Sequence, residues 1–222
     1  MKKIIVLLIA TAVIMMGCGQ SNSEEYDEIT TADEAISVLQ KGNEQYKTGK
    51  KMMITTQDLR EELTVNGQEP YAVVISCSDS RVPVEEIFSC NAGEIFVVRT
   101  AGNVIGDLEM GSIEYGVEHC GAPLILVLGH TNCGAVTAAV EGEPEGNNID
   151  DIVELIKPAI EEAKKISKDK EKIVSEGVRI NVLNDIKQIQ SNPTISELID
   201  SGMVSVTGAI YDIEHGTIQW LE

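Results

Sequence analysis

The chain has 222 residues, 43% hydrophobic and only 4% aromatic, and a formal net charge of −19. That length holds one domain with a full core rather than two large ones. A core so poor in aromatics must be built from Val, Ile, Leu and Ala, which suits a sheet covered by helices. The acidity argues against nucleic acid as a partner, because binding it needs Lys and Arg to displace condensed counterions.

Met1-Lys2-Lys3 leads into an apolar run from Ile4 to Met16, then Gly17-Cys18-Gly19 and a polar stretch from Gln20 to Glu25. This is a signal sequence in outline. The run is shorter than the ~20 residues that span a bilayer, which leaves a permanent transmembrane helix as the weaker alternative. Gly17 before Cys18 resembles a bacterial lipoprotein cleavage site, where the thiol is acylated; an ordinary secretory peptide is the other reading. The expected organisation is a lipoprotein signal peptide over residues 1–17, a flexible acidic linker over 18–31 and one folded domain over 32–222. The protein is expected to be exported, extracytoplasmic and held to a bacterial membrane by the lipid on Cys18.

From Ala32 to Tyr46, Ala35, Ile36, Leu39 and Tyr46 recur at helical spacing, with Gly42-Asn43 interrupting near the end. Tyr71 to Ser76, Glu94 to Arg99 and Leu124 to Gly129 are short β-branched runs with little alternation, as expected of strands buried on both faces. The segments between them are long enough for crossover helices, so the sheet is expected to be mainly parallel. Asp150 to Ser175 and Arg179 to Ser191 read as helices with solvated charged faces. Val204 to Ile213 and Thr217 to Leu221, separated by Glu214-His215-Gly216, read as a closing strand and hairpin. The fold class is α/β: a central mainly parallel sheet flanked by helices, with an N-terminal helical arm.

Two motifs carry chemistry. Cys77-Ser-Asp79-Ser-Arg81 and Gly129-His130-Thr-Asn-Cys133-Gly134 each follow a buried strand. In a parallel sheet the carboxyl ends of neighbouring strands open onto one crevice, so the two loops can converge. Cys77, His130 and Cys133 then form a Cys₂His set suited to tetrahedral zinc, with a fourth position left open for a water whose pKa falls to about 7. Singly, a buried Cys or a lone His has a duller reading as a small core residue or a hydrogen-bonded side chain. The pairing of the motifs, each at a strand end, is what favours metal.

These motifs, with Arg99-Thr-Ala-Gly-Asn103 and Gly111-Ser-Ile-Glu-Tyr115 between them, resemble the β-class carbonic anhydrase family. The likeness runs from about Ala35 to Leu221. It implies one zinc per subunit on Cys77, His130 and Cys133, and reversible hydration of carbon dioxide to bicarbonate by zinc-bound hydroxide. It makes Asp79 and Arg81 a dyad: gripped by Arg81, Asp79 stays off the metal and accepts a hydrogen bond from the bound water; released, it becomes a fourth ligand and closes the site. A plain surface ion pair is the alternative for these two residues.

The resemblance further implies a substrate hydrogen bond from Gln68, often across a subunit boundary, and an apolar pocket lined by Phe96, Ala101 and Tyr115. The amide of Gly134, at a tight turn beside Cys133, is placed for a substrate oxygen. It also implies a homodimer or larger homo-oligomer. Some members hold an inhibitory bicarbonate with a Trp where this chain has Val74, so that regulation is not expected here. His119 and His215 read as surface residues rather than proton shuttles, and Trp220 as packing in the closing strand. Cys90 and Cys120 are either free or paired in a disulfide. Two competing functions remain open from sequence: hydrolysis of carbonyl sulfide or carbon disulfide on the same zinc, and a silent zinc-binding lipoprotein.

Overall fold

A computed structural model describes residues 29–50, 55–144 and 146–221. Residues 1–28, with the expected signal peptide, Cys18 and most of the linker, lie outside the described residues. None of the described helices is long and apolar enough to cross a membrane.

Helix α1 spans Ala32–Lys47 and opens with a capping box: the Thr31 hydroxyl accepts from the Glu34 amide, and the Glu34 carboxylate accepts from the Thr31 amide. The expected interruption at Gly42-Asn43 does not occur. Both residues are buried within the helix. A Cβ on Gly42 would lie 1.8 Å from the Phe88 carbonyl oxygen, and the Asn43 amide donates to the carbonyls of Ile87 and Gly216. The two residues that look like a stop signal instead let α1 dock closely on the chain after β1.

Helix α2 (Gln57–Asn66) buries no residue. Strand β1 (Ala72–Cys77) leads through the short α3 (Val84–Ile87) to β2 (Ile95–Thr100), a 3₁₀ turn at Ala101–Asn103 and α4 (Asp107–Glu118). Strand β3 (Leu124–His130) is followed by α5 (Gly134–Glu141), α6 (Ile149–Ile166), α7 (Lys170–Gln190) and α8 (Pro193–Asp200). Strands β4 (Ser205–Asp212) and β5 (Thr217–Trp220) form the closing hairpin. The helix expected over Asp150 to Ser175 is broken at residues 167–169, and the one expected from Arg179 begins earlier. Ser167 is extended, and the Asp169 carboxylate caps the Lys172 amide, which starts α7 afresh.

The strand order is β2-β1-β3-β4-β5, parallel except for the β4–β5 edge. Every residue of β1 and β3 is buried, because helices cover both faces. On one face Ala72, Val74, Leu124, Leu126 and Leu128 pack with Ala35 and Leu39 of α1 and with Val84, Ile87 and Phe88. On the other, Val73, Ile75, Ile125 and Val127 pack with Ile113, Val182, Ile189 and Ile195 from α4, α7 and α8. A third cluster continues that second face upward, joining Cys77 and Cys133 to Val136, Ile156, Ile160 and Val178.

Candidate metal centre

Cys77 ends β1 and His130 ends β3, and because β1 and β3 are parallel hydrogen-bonded neighbours, both side chains reach the same carboxyl edge of the sheet. After His130 the chain turns through Asn132, whose φ of 56° lies in the left-handed region that Asn tolerates. Cys133 then becomes the N-cap of α5. One sulfur or nitrogen from each of Cys77, His130 and Cys133 lies within 4.8 Å of the others, and all three residues are buried.

His130 donates from Nδ1 to the Thr131 carbonyl at 2.9 Å, which leaves Nε2 as the unprotonated nitrogen. Among the described residues that Nε2 is the buried side-chain N or O atom with no hydrogen-bond partner. Cys77 and Cys133 are free thiols. The Cys77 sulfur accepts from the Gly102 amide at 3.2 Å and the Asp79 amide at 3.4 Å. Its hydrogen bond with Cys133, then those two amides, hold the Cys77 thiol well below its ordinary range, against the opposing effect of burial. Cys133, the partner left with the proton, is pushed up by that same bond and by burial. A buried set of one lone-pair nitrogen and two sulfurs fits a thiophilic divalent cation, and zinc best of the common ones.

Asp79 is not a member of this group. Arg81 holds it through Nε to Oδ1 at 3.0 Å and Nη2 to Oδ2 at 2.7 Å, and the Arg81 amide adds a bond to Oδ1 at 2.9 Å. These bonds hold its carboxyl well below the usual carboxylate range. Arg99 braces the same loop from β2, donating to the carbonyls of Cys77 at 3.0 Å and Asp79 at 2.8 Å. Sequence reading placed Arg99 in a family motif without assigning it this task.

The expected substrate residues fall into two groups. Ala101 lies in the turn next to Gly102, and Gly134 is the first residue of α5, so its amide belongs to a helix N-terminus rather than to a tight turn. Both sit beside the three donors. Phe96 pairs with Val73, four residues or roughly 13 Å down the sheet from Cys77. Its ring stacks against Tyr115 at 6.0 Å, and Tyr115 is half exposed on α4. Gln68 is exposed in the loop after α2. Within one chain these three are not gathered around Cys77. Val74 is fully buried against α1. His119 stacks on Tyr115, and His215 pairs with Asp212 at 2.8 Å. Cys90 and Cys120 are free thiols, not a disulfide.

Sequence reading also missed three polar residues of α7. Asn181 and Asp185 are buried, and with Gln188 they follow the i, i+4, i+7 spacing of one helix face. Asn181 donates to the Gly102 carbonyl at 3.0 Å, Asp185 accepts from Asn103 at 2.7 Å, and Gln188 donates to the Ile105 carbonyl at 3.1 Å. Amide and carboxylate side chains recurring at that period between apolar residues were the available signal.

Three protein donors at the carboxyl edge of a parallel sheet, with no fourth donor in the group, are the outfit of a catalytic zinc enzyme rather than of a structural zinc site. A family model described as carbonic anhydrase matches residues 72–218. Carbonic anhydrase 2 of Mycobacterium tuberculosis is 36% identical over 192 residues, covering 82% of this chain and 89% of that protein. The carbonic anhydrase of Mycolicibacterium smegmatis is 35% identical, covering 83% and 91%. A crystal structure of a β-carbonic anhydrase from Aspergillus fumigatus superposes with a TM-score of 0.69 at 30% identity, covering 74% of this chain and 81% of that one. A tetrameric β-carbonic anhydrase from Sordaria macrospora gives 0.70 at 27% identity, covering 84% and 96%. The chain belongs to the carbonic anhydrase family, in its β class. It is a zinc enzyme that interconverts carbon dioxide and bicarbonate.

Proposed function

We propose that Cys77, His130 and Cys133 are the ligands of the zinc with which this enzyme hydrates carbon dioxide, and that Asp79, held by Arg81, orients the attacking group beside it. The observation that carries this assignment is the partnerless Nε2 of buried His130, within 4.8 Å of two free thiols. A buried polar atom left unpaired is costly, and metal ligation satisfies it. When bound, zinc lowers the pKa of a water to about 7 and so supplies the nucleophile at neutral pH.

The surrounding residues do the rest. Arg81 keeps the Asp79 carboxylate ionised and off the donor set, where it would accept a hydrogen bond from the attacking group and orient it. In the closed state Asp79 would leave Arg81 and take the fourth position. The Gly134 amide, at the positive end of α5, meets the negative charge that develops on a substrate oxygen. Ala101 supplies apolar wall beside it.

The enzyme acts as a homodimer or larger homo-oligomer, in which Gln68, Phe96 and Tyr115 complete the pocket of a second copy. Two facts support this: the Sordaria relative is tetrameric, and Leu108 and Tyr115 expose an apolar face of α4. Signal peptide over 1–17, linker over 18–31, catalytic domain over 32–222, and export with lipidation at Cys18 rest on the residue pattern of the leader.

Zinc analysis and stopped-flow carbon dioxide hydration on the full chain, with Cys133→Ala and His130→Ala beside it, test the ligand assignment. The parent should hold one zinc per subunit and hydrate carbon dioxide, and the variants should lose both. Full zinc occupancy in either variant would overturn the assignment. Carbon disulfide turnover without hydration would transfer the activity to the sulfur substrate. Radiolabelled palmitate incorporated by the parent and not by Cys18→Ala would support the anchor, and a sedimentation run showing an active monomer would remove the oligomer.

A further inference from the structure

Resting on the assignment of Cys77 as a zinc ligand, we infer that Asn181, Asp185 and Asn103 form a positioning ladder that aims the Gly102 amide at the Cys77 sulfur and so draws electron density off that ligand. The chain between β2 and α4 passes directly over Cys77. The turn puts the consecutive residues Gly102 and Asn103 in the left-handed region, at φ 69° and 51°, which these two residue types tolerate. Two side chains of α7 hold it. The Asn181 amide grips the Gly102 carbonyl at 3.0 Å, and the Asp185 carboxyl receives the Asn103 amide at 2.7 Å.

All three ladder residues are buried, with exposures of 3% for Asn181, 3% for Asn103 and 6% for Asp185, so water does not compete for these bonds. Space reinforces them: a Cβ on Gly102 would lie 2.8 Å from Ile156 Cδ1 and 3.1 Å from Ala135 Cβ. The outcome of this bracing is one donor, the Gly102 N–H, 3.2 Å from the sulfur. A hydrogen bond to a ligating thiolate weakens its donation to the metal and leaves the metal more electrophilic, the general route by which outer partners tune a metal site. Gln188, one turn further along α7, grips Ile105 instead and has no such path to the sulfur.

The cobalt(II)-loaded protein tests this, because the energy of its thiolate-to-metal charge-transfer band follows the hydrogen bonding of the sulfur. Asn181→Ala and Asp185→Ala should each move the band to lower energy. Asp185→Asn keeps an acceptor for Asn103 and should restore the parent band. Gln188→Ala should lower the melting temperature and leave the band in place. Bands in Asn181→Ala and Asp185→Ala that coincide with the parent's, beneath lowered melting temperatures, would reduce the ladder to a folding role. Should Asn181→Ala fail to fold, the Asp185→Ala and Asp185→Asn pair decides alone. Absence of any thiolate band in the parent would instead sink the ligand assignment, which keeps the two failures apart.

Discussion

Arg81 grips both carboxylate oxygens of Asp79, and the same Nη2 that bonds Oδ2 also reaches the Asn132 carbonyl at 3.2 Å. One guanidinium thus ties the loop after β1 to the loop after β3, the two loops that carry the metal donors.

Lysine at position 81 keeps the charge but lacks the planar fork. Arg81→Lys should lower kcat/KM for hydration by about 10- to 100-fold while zinc content stays at the parent level. Stopped-flow rates beside metal analysis check this. Loss of zinc with the rate would make Arg81 an assembly residue. A carboxyl held low in the folded chain adds stability above its unfolded pKa of about 3.9, lost as pH falls through the folded value. The acid unfolding midpoint of Arg81→Lys should therefore lie at higher pH than the parent's.

Asp185 behaves oppositely. Burial pushes its carboxyl up to about 8, against the lowering effect of the Asn103 amide. Its folded value exceeds the unfolded one of about 3.9, so its contribution is complete below that lower value and lost as pH rises through the higher one. Asp185→Asn cannot ionise. Its urea midpoint should gain on the parent's as pH rises, with a larger offset near about pH 9 than near about pH 5; an offset that does not change with pH would refute this.

Gly42→Ala reverses a general rule. In an exposed helix this change stabilises by about 1 kcal/mol. Here the new methyl meets the Phe88 carbonyl oxygen, so α1 must move off the sheet, at a cost of about 1–3 kcal/mol or more. Differential scanning calorimetry should record a lower melting temperature, and an unchanged or raised one would show that α1 is not seated as described.

Cys90 is 1% exposed, bonded to the Tyr71 hydroxyl at 3.1 Å, and burial pushes its thiol up to about 12. Cys120 is only half-buried. Iodoacetamide near neutral pH should modify Cys120 in the native zinc-loaded enzyme and reach Cys90 only after unfolding, as thiolate character and access dictate. Peptide mass mapping reads both sites; equal rates would count against the burial of Cys90.

The sheet was legible because β1 and β3, buried on both faces, are continuous apolar runs that no solvated element tolerates. The donors were legible because Cys77 and His130 stand at the ends of those runs and Cys133 lies three residues after His130. Gly42-Asn43 misled because a close backbone approach and a helix stop use the same residue types. Helix α2 escaped because it buries no residue fully and its apolar face is only the half-buried pair Leu59 and Leu63. Helix α8 had a signal that went unread, Asn192 capping the Ile195 amide with Pro193 in the first turn. The partners of Arg99 and of the α7 ladder are backbone carbonyls and a side chain distant in sequence, which no local pattern reports.

Cys77 closes one strand and His130 closes its neighbour, yet β2 and α4 intervene along the chain. Joining strands so separated must overcome loop-closure entropy before the contacts repay it, which makes it slow. A half-folded molecule therefore offers zinc nothing better than the local His130–Cys133 pair. Unlike small zinc modules that collapse around their ion, this scaffold assembles its three donors through the pairing of β1 with β3, so the full ligand set exists only once those strands have joined.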